Sequence, residues 1–266
     1  MALSLPPLPY DKKAVAPQLG ADRRRLGRTR RRALDMAFYS LVTLTAVTFV
    51  GEIFFIFLKA PVEARMGIVQ KIFYFHVPSA YAMYIGAAAC FSGSIAYLVR
   101  PTRAADAFAR AGAEAAVVFG SIVLTTGPLW GAKAWGALWT WDPRLTTELL
   151  GVLIYVAYLV LRSFAGDGDG ERRFSAALGI LGAANLPIIH FSVQKWGGQH
   201  PTVITGSGGG LQHPDMKTGL ALGFFAFTLL AALLLWARTR IEIANSRLRQ
   251  AEEDAVDLGL DTRTEG

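Results

Sequence analysis

Four of the six tryptophans, Trp130, Trp135, Trp139 and Trp141, fall within twelve residues, and Asp142 and Arg144 follow at once. Intervals of five, four and two match neither a helical nor a strand period. The segment therefore reads as a loop that offers flat apolar faces and ends on an acid and a base. An aromatic belt anchoring helix ends at a membrane surface accounts for one or two such residues. This density, with its Trp-Asp-x-Arg ending, suits a large planar ligand with acidic edges.

The four histidines are the other candidates. His76 lies in Phe75-His76-Val77-Pro78. Pro78 fits the first helical position, where its missing N–H costs nothing. His76 then sits beside the positive end of a helix, which disfavours imidazolium and keeps the ring neutral, as a metal ligand must be. The competing reading is an interfacial histidine bonded to headgroups or backbone. His200 ends Trp196-Gly197-Gly198-Gln199-His200, His190 follows Pro187, and His213 follows a stretch, Gly206 to Gly210, that reads as flexible. No pair has the tight spacing of a structural zinc or copper site, and the one cysteine, Cys90, lies in an apolar run. Two histidines on separate loops across a Trp-lined cleft suit haem better. Its iron accepts two axial imidazoles, and its propionates need cations or amides. There is no Cys-x-x-Cys-His, so such haem is haem b, held without a covalent bond.

These residues must be positioned by a membrane scaffold. The chain is 53% hydrophobic with a mean hydropathy of +0.35, and its apolar residues come in blocks. A bilayer core needs about 20 apolar residues per helix. Six runs qualify: 36–58, 78–99, 107–129, 145–161, 174–193 and 218–237, the fourth weakened by Glu148 near its start. The expectation is an all-α, polytopic membrane protein with six transmembrane helices. Its parts are a basic tail (1–33), a six-span domain (34–240) carrying the Trp-rich loop 130–146, and a mixed-charge tail (241–266) that extends the last helix and frays. If both termini are cytoplasmic, the inner segments hold 20 of the 27 Lys and Arg. That asymmetry is the positive-inside rule. It argues against nucleic acid as the partner of the arginine cluster at residues 23–32, which abuts the first span. The first span itself begins too far in for a cleavable signal peptide and reads as a retained anchor. On this topology all four histidines lie at or beyond the outer helix ends.

Thr126-Gly127-Pro128-Leu129-Trp130-Gly131, followed by Trp135-Gly136-x-x-Trp139-x-Trp141-Asp142-x-Arg144-Leu145-Thr146, resembles the "WWD" signature of haem-handling membrane proteins of cytochrome c maturation. Within that group the chain is similar to the CcmC family over about residues 34–240. Ala60-Pro61-Val62, Lys71-Ile72-x-Tyr74-x-His76-Val77-Pro78 and Pro187-Ile188-Ile189-x-x-Ser192-Val193 with Trp196-x-x-x-His200 carry the rest of the match. The resemblance implies that His76 and His200 are the axial ligands and that the Trp-rich loop lies against the porphyrin. It also implies that haem goes to the chaperone CcmE, alongside the ABC subunits CcmA and CcmB and the small protein CcmD. The location implied is the bacterial inner membrane, with the haem site facing the periplasm. Lys71 stands where a basic residue is expected and is available to a propionate. Where the family usually has adjacent tryptophans, this chain has Leu138-Trp139, so one stacking face is missing.

Three acids lie at membrane depth, Glu52, Glu114 and Glu148. Such groups are functional suspects unless they serve helix neighbours, the reading preferred for Glu114. No Gly-x-x-x-x-Gly-Lys-Ser/Thr motif is present, so any ATP-driven step belongs to a partner. The expected role is haem binding and transfer, not catalysis by side chains. The alternatives are the membrane part of a cytochrome c synthetase, which usually carries more spans or a large outer domain, and a permease or channel, which needs polar helix interiors. The charge split gives a direct test. Reporter fusions after Arg100, Gly168 and Arg240 should report cytoplasm, and fusions after Lys133 and Gly208 the outside. An outside signal at Gly168 would separate His200 from His76 and sink the topology.

Overall fold

The computed structural model describes residues 12–164, 168–200 and 211–258. Six α-helices make up the fold: α1 (Lys12–Leu58), α2 (Phe73–Val99), α3 (Arg103–Trp135), α4 (Pro143–Phe164), α5 (Asp169–Trp196) and α6 (Pro214–Asp257). A 3-10 turn, Ile68–Ile72, leads into α2. The described residues contain no strand, only an isolated bridge between Glu63 and Gly67. Each helix contains a stretch long and apolar enough to cross a membrane. The protein is therefore all-α and polytopic. The fraying of the last residues and the flexibility of 206–210 concern positions outside the described residues.

Several boundaries differ from the sequence reading. α2 begins at Phe73, so Pro78 lies inside the helix and is not its first residue. The 3-10 turn runs directly into α2, with Ile72 already in a helical conformation, and His76 is part of the first turn of α2. α3 runs on to Trp135, so Trp130 and Trp135 are helical and only residues 136–142 form the irregular loop. His190 lies within α5, about two turns before its end, not at the end.

The chain divides into two compact units, Met1–Leu44 and Thr45–Gly266. The first contains, among described residues, the start of α1, whose arginine-rich segment is helical. The second contains the end of α1 and the other five helices.

Within the second unit, α2 and α3 pack backbone to backbone. A Cβ added at Gly112 would lie 2.3 Å from the Cys90 amide nitrogen, and one at Gly86 would lie 2.6 Å from that of Ala116. At Gly93 the Ala109 nitrogen would be 2.6 Å away. Small residues at such spacing are how apolar helices associate where the surrounding lipid is as apolar as they are. The pairs share one antiparallel register: Gly93 with Ala109, Cys90 with Gly112, Gly86 with Ala116. Continued along the helices, that register sets His76 opposite Thr126. α4 and α5 lock through Asn185, whose Nδ2 donates to the Thr147 carbonyl at 2.9 Å.

At the other end of the bundle, ion pairs join the helices. Arg162 of α4 donates to Asp106 of α3 at 2.8 Å. Glu114 accepts from Arg238 of α6 through both carboxylate oxygens, one bond being 2.7 Å. Glu114 thus serves helix neighbours. Glu52 is 1% exposed, and neither of its carboxylate oxygens has a hydrogen-bond partner.

Two glycines make the packing testable. Alanine is the better helix former by about 1 kcal/mol. At Gly51, where an added Cβ meets nothing within 4 Å, Gly51→Ala should leave the thermal midpoint in detergent unchanged or raised. At Gly112 the backbone cannot yield, and overpacking of this kind costs about 1–3 kcal/mol, so Gly112→Ala should lower it. Equal midpoints for the two variants would mean that the α2–α3 approach does not limit stability.

Candidate functional site

The register of α2 on α3 produces the first element of the site. Thr126 Oγ1 donates to the Ile122 carbonyl one turn earlier at 2.6 Å. A hydroxyl has one proton, so the contact of Thr126 Oγ1 with His76 Nδ1 at 2.9 Å must be donated by the ring. The neutral imidazole therefore carries its proton on Nδ1 and its lone pair on Nε2. A metal-binding histidine characteristically has its second nitrogen bonded in this way, which fixes both tautomer and ring orientation. Gly127 leaves room for the ring, since a Cβ there would meet His76 Cε1 at 3.2 Å. Thr126 stood in the recognised motif without a role. Its usable signal was a threonine before glycine on an apolar helix, and nothing in the sequence pairs it with residue 76.

The tryptophans divide into two pairs. Trp130 and Trp135 meet edge to face, with ring centres 5.9 Å apart, at the end of α3. Trp135 covers Gly131, and Trp130 Nε1 donates to Gln70 Oε1 at 3.1 Å, which ties α3 to the turn before α2. Gly136 ends the helix at a φ of 75°, a left-handed conformation that suits glycine. Trp139 and Trp141 form the second edge-to-face pair, at 5.7 Å. Trp141 is 76% exposed and Leu138 59%, so an apolar surface remains beside the missing tryptophan.

Asp142 joins two loops. Its Oδ1 accepts from the Arg144 amide at 2.9 Å and so caps the start of α4. Its Oδ2 accepts from the Gln199 amide at 2.6 Å. Gly197 and Gly198, both with positive φ, turn the chain out of α5 toward it. A Cβ at Gly198 would lie 2.3 Å from Asp142 Oδ2. His200 is thus held one residue from the anchored amide.

Arg144 does not pair with Asp142 through its side chain. Its Nη2 donates to the His190 carbonyl at 2.7 Å, and its buried Nε has no hydrogen-bond partner. Glu148, one turn on and 5% exposed, has one carboxylate oxygen buried without a partner. Lys71 is placed elsewhere. It is 5% exposed, and its Nζ donates to the carbonyls of Ile56 (2.6 Å), Phe57 (3.3 Å) and Ala60 (3.3 Å). The ammonium has three protons, and all three cap the end of α1. His213 caps α6, where its Nδ1 accepts from the Asp215 amide at 3.1 Å. The structure thus pairs His76 with Thr126, holds Arg144 against α5, ties Asp142 to the loop that leads to His200, and sets Lys71 and His213 to structural work.

Asp142 can be tested as the tie. Hydrogen bonds to a charged acceptor contribute about 1.5–3 kcal/mol. In Asp142→Ala, amide exchange at Gln199 should speed up by at least tenfold, with Asp142→Asn intermediate. A Gln199 amide equally protected in both variants and the parent would mean that the two loops are held by something else.

A family model described as "Heme exporter protein C" matches residues 27–254. Curated proteins of that name are similar over most of their length. The Escherichia coli K12 protein is 36% identical over 208 residues, covering 77% of this chain and 81% of its own. That of Bradyrhizobium diazoefficiens is 35% identical over 194 residues (73% and 74%). That of Rhodobacter capsulatus is 29% identical over 219 residues (80% and 89%).

Proposed function

The chain belongs to the haem exporter protein C (CcmC) family, and from that premise we propose that it holds haem b between His76 and His200 and passes it to the chaperone CcmE. Its role is haem handling in cytochrome c maturation, as a transfer component of a multi-pass membrane assembly. The reading sets the site on the periplasmic side of the inner membrane, with both termini in the cytoplasm, the basic tail at 1–33, the spans within 34–240 and the second tail from 241. CcmA, CcmB and CcmD are its partners in this reading. With no nucleotide-binding motif in this chain, any ATP-driven step is theirs.

The observation that carries the reading is the chain of hydrogen bonds from His76 Nδ1 through Thr126 to Ile122. It leaves Nε2 as the ring's lone-pair nitrogen, which iron requires. The other groups fit the same cargo. The charge of the Arg144 guanidinium suits a propionate. Trp139, Trp141 and Leu138 supply apolar surface to the porphyrin, with Trp130 and Trp135 bracing the loop behind them. Asp142 acts by holding the loop that bears Trp141 to the loop that bears His200. Lys71 leaves the propionate set, since its protons cap α1. Haem bound to two imidazoles is retained yet releasable, because each axial bond can exchange separately.

His76→Ala and His200→Ala should each lower haem retention at least fivefold, and added imidazole should partly restore it. Thr126→Val should keep haem but loosen it, while Thr126→Ser, which retains the acceptor, should behave as the parent. His213→Ala should have least effect. The measurement is the Soret absorbance per chain after purification. If His200→Ala keeps the parental spectrum, the ligand assignment is wrong.

A further inference from the structure

Glu52 of α1 is buried, and neither of its carboxylate oxygens has a hydrogen-bond partner. One of them borders a particular backbone group. A Cβ placed at Gly223 of α6 would lie 3.0 Å from Glu52 Oε1, 2.8 Å from the Tyr74 carbonyl oxygen and 2.8 Å from Pro78 Cγ. Helices α1, α2 and α6 thus converge where a side chain at residue 223 has no room, and two oxygens border the same point. Pro78 explains why the second oxygen is open. It lies inside α2 and has no N–H, so the Tyr74 carbonyl lacks the donor that a helix supplies from four residues on. Tyr74 is itself 1% exposed, and buried backbone acceptors are nearly always paired.

Two acceptors beside one point need a proton between them. An ionised Glu52 has no counter-charge at this depth. α1 carries no other charged residue from Thr45 to Leu58, and α6 carries none from Gly219 to Ala237. On α2 the titratable neighbours in sequence are Tyr74, whose hydroxyl is buried without a partner, and His76, whose Nδ1 is turned to Thr126 of α3. Lys71 commits its ammonium to the carbonyls of Ile56, Phe57 and Ala60, farther along α1. An unpaired carboxylate inside a membrane is costly and takes up a proton instead, and a neutral carboxyl can donate as well as accept. We infer that Glu52 carries a proton at neutral pH and donates it to the Tyr74 carbonyl in place of the amide that Pro78 lacks, and that it is thereby a positioning residue for His76. The turn from Tyr74 to Pro78 is the one that bears His76. Its ring is pinned from α3 and its backbone from α1. The link to haem rests on the proposed function above; the proton on Glu52 does not.

The test uses the full chain in nanodiscs. Infrared spectra of the haem-free protein at neutral pH should contain a protonated-carboxyl stretch that Glu52→Gln removes. Pro78→Ala returns an amide to the Tyr74 carbonyl and should move that band to higher frequency, as the carboxyl loses its acceptor. Transfer of haem from the loaded chain to apomyoglobin reads the positioning. Glu52→Ala should speed that loss about fivefold, the scale of one net hydrogen bond. Glu52→Gln, whose side-chain amide donates to the same carbonyl, should match the parent. The double variant Glu52→Ala/Pro78→Ala should return to the parental rate, a rescue that a merely space-filling side chain would not show. A carboxyl band that survives Glu52→Gln unchanged would overturn the inference, and so would a double variant that loses haem as fast as Glu52→Ala. A parent chain that shows the band but takes up no haem would overturn the proposed function instead, a result separable from the first two.

Discussion

At Gly112 the backbones of α2 and α3 approach until no Cβ could stand between them, and the same contact recurs at Gly86 and Gly93. In lipid, burial of apolar surface does little to bring helices together, so close backbone packing must do it. The three contacts share one register, each glycine facing backbone that a side chain could not approach. That register sets His76 against Thr126, and the hydroxyl's single proton, committed to Ile122, sets the tautomer of the ring. The helix packing therefore reaches the chemistry through two hydrogen bonds.

The rest of the site depends on groups that hold loops and helix ends. Asp142 satisfies one amide at the start of α4 and one on the loop after α5, and a carboxylate there is stronger than any neutral acceptor. Lys71 does the equivalent for the end of α1 by meeting three carbonyls. Arg144 spans from α4 to the carbonyl of His190 on α5, and its Nε is buried without a partner. The charged residues around the site are thus mostly spent on architecture, and the proposed reading gives the ligand His76 Nε2 and the exposed apolar rings to meet.

Much of this was legible in the sequence. Six apolar blocks of membrane-spanning length and the density of tryptophan before Asp142 gave the helical class and the region of the site. What stayed hidden depended on contacts far apart in sequence. The spacing of Trp130 and Trp135 looked irregular because the helix end falls between Trp135 and Trp139. Pro78 read as a helix start, since a proline there is usually a first residue, yet α2 begins five residues earlier. Lys71 read as a ligand group because its carbonyl partners lie eleven to fifteen residues away, at a helix end the sequence does not mark. Thr126 carried no signal of its own, since its role exists only across the α2–α3 contact.

The central claim is that helix packing, before any ligand arrives, leaves His76 as a neutral ring protonated at Nδ1. Two-bond proton–nitrogen correlations on the ¹⁵N-histidine-labelled, haem-free chain at neutral pH read that tautomer directly. The account predicts an unprotonated Nε2 and a protonated Nδ1 for His76, with the Nδ1 proton lost to an even tautomer mixture in Thr126→Val. A His76 ring protonated at Nε2 in the parent chain would contradict it.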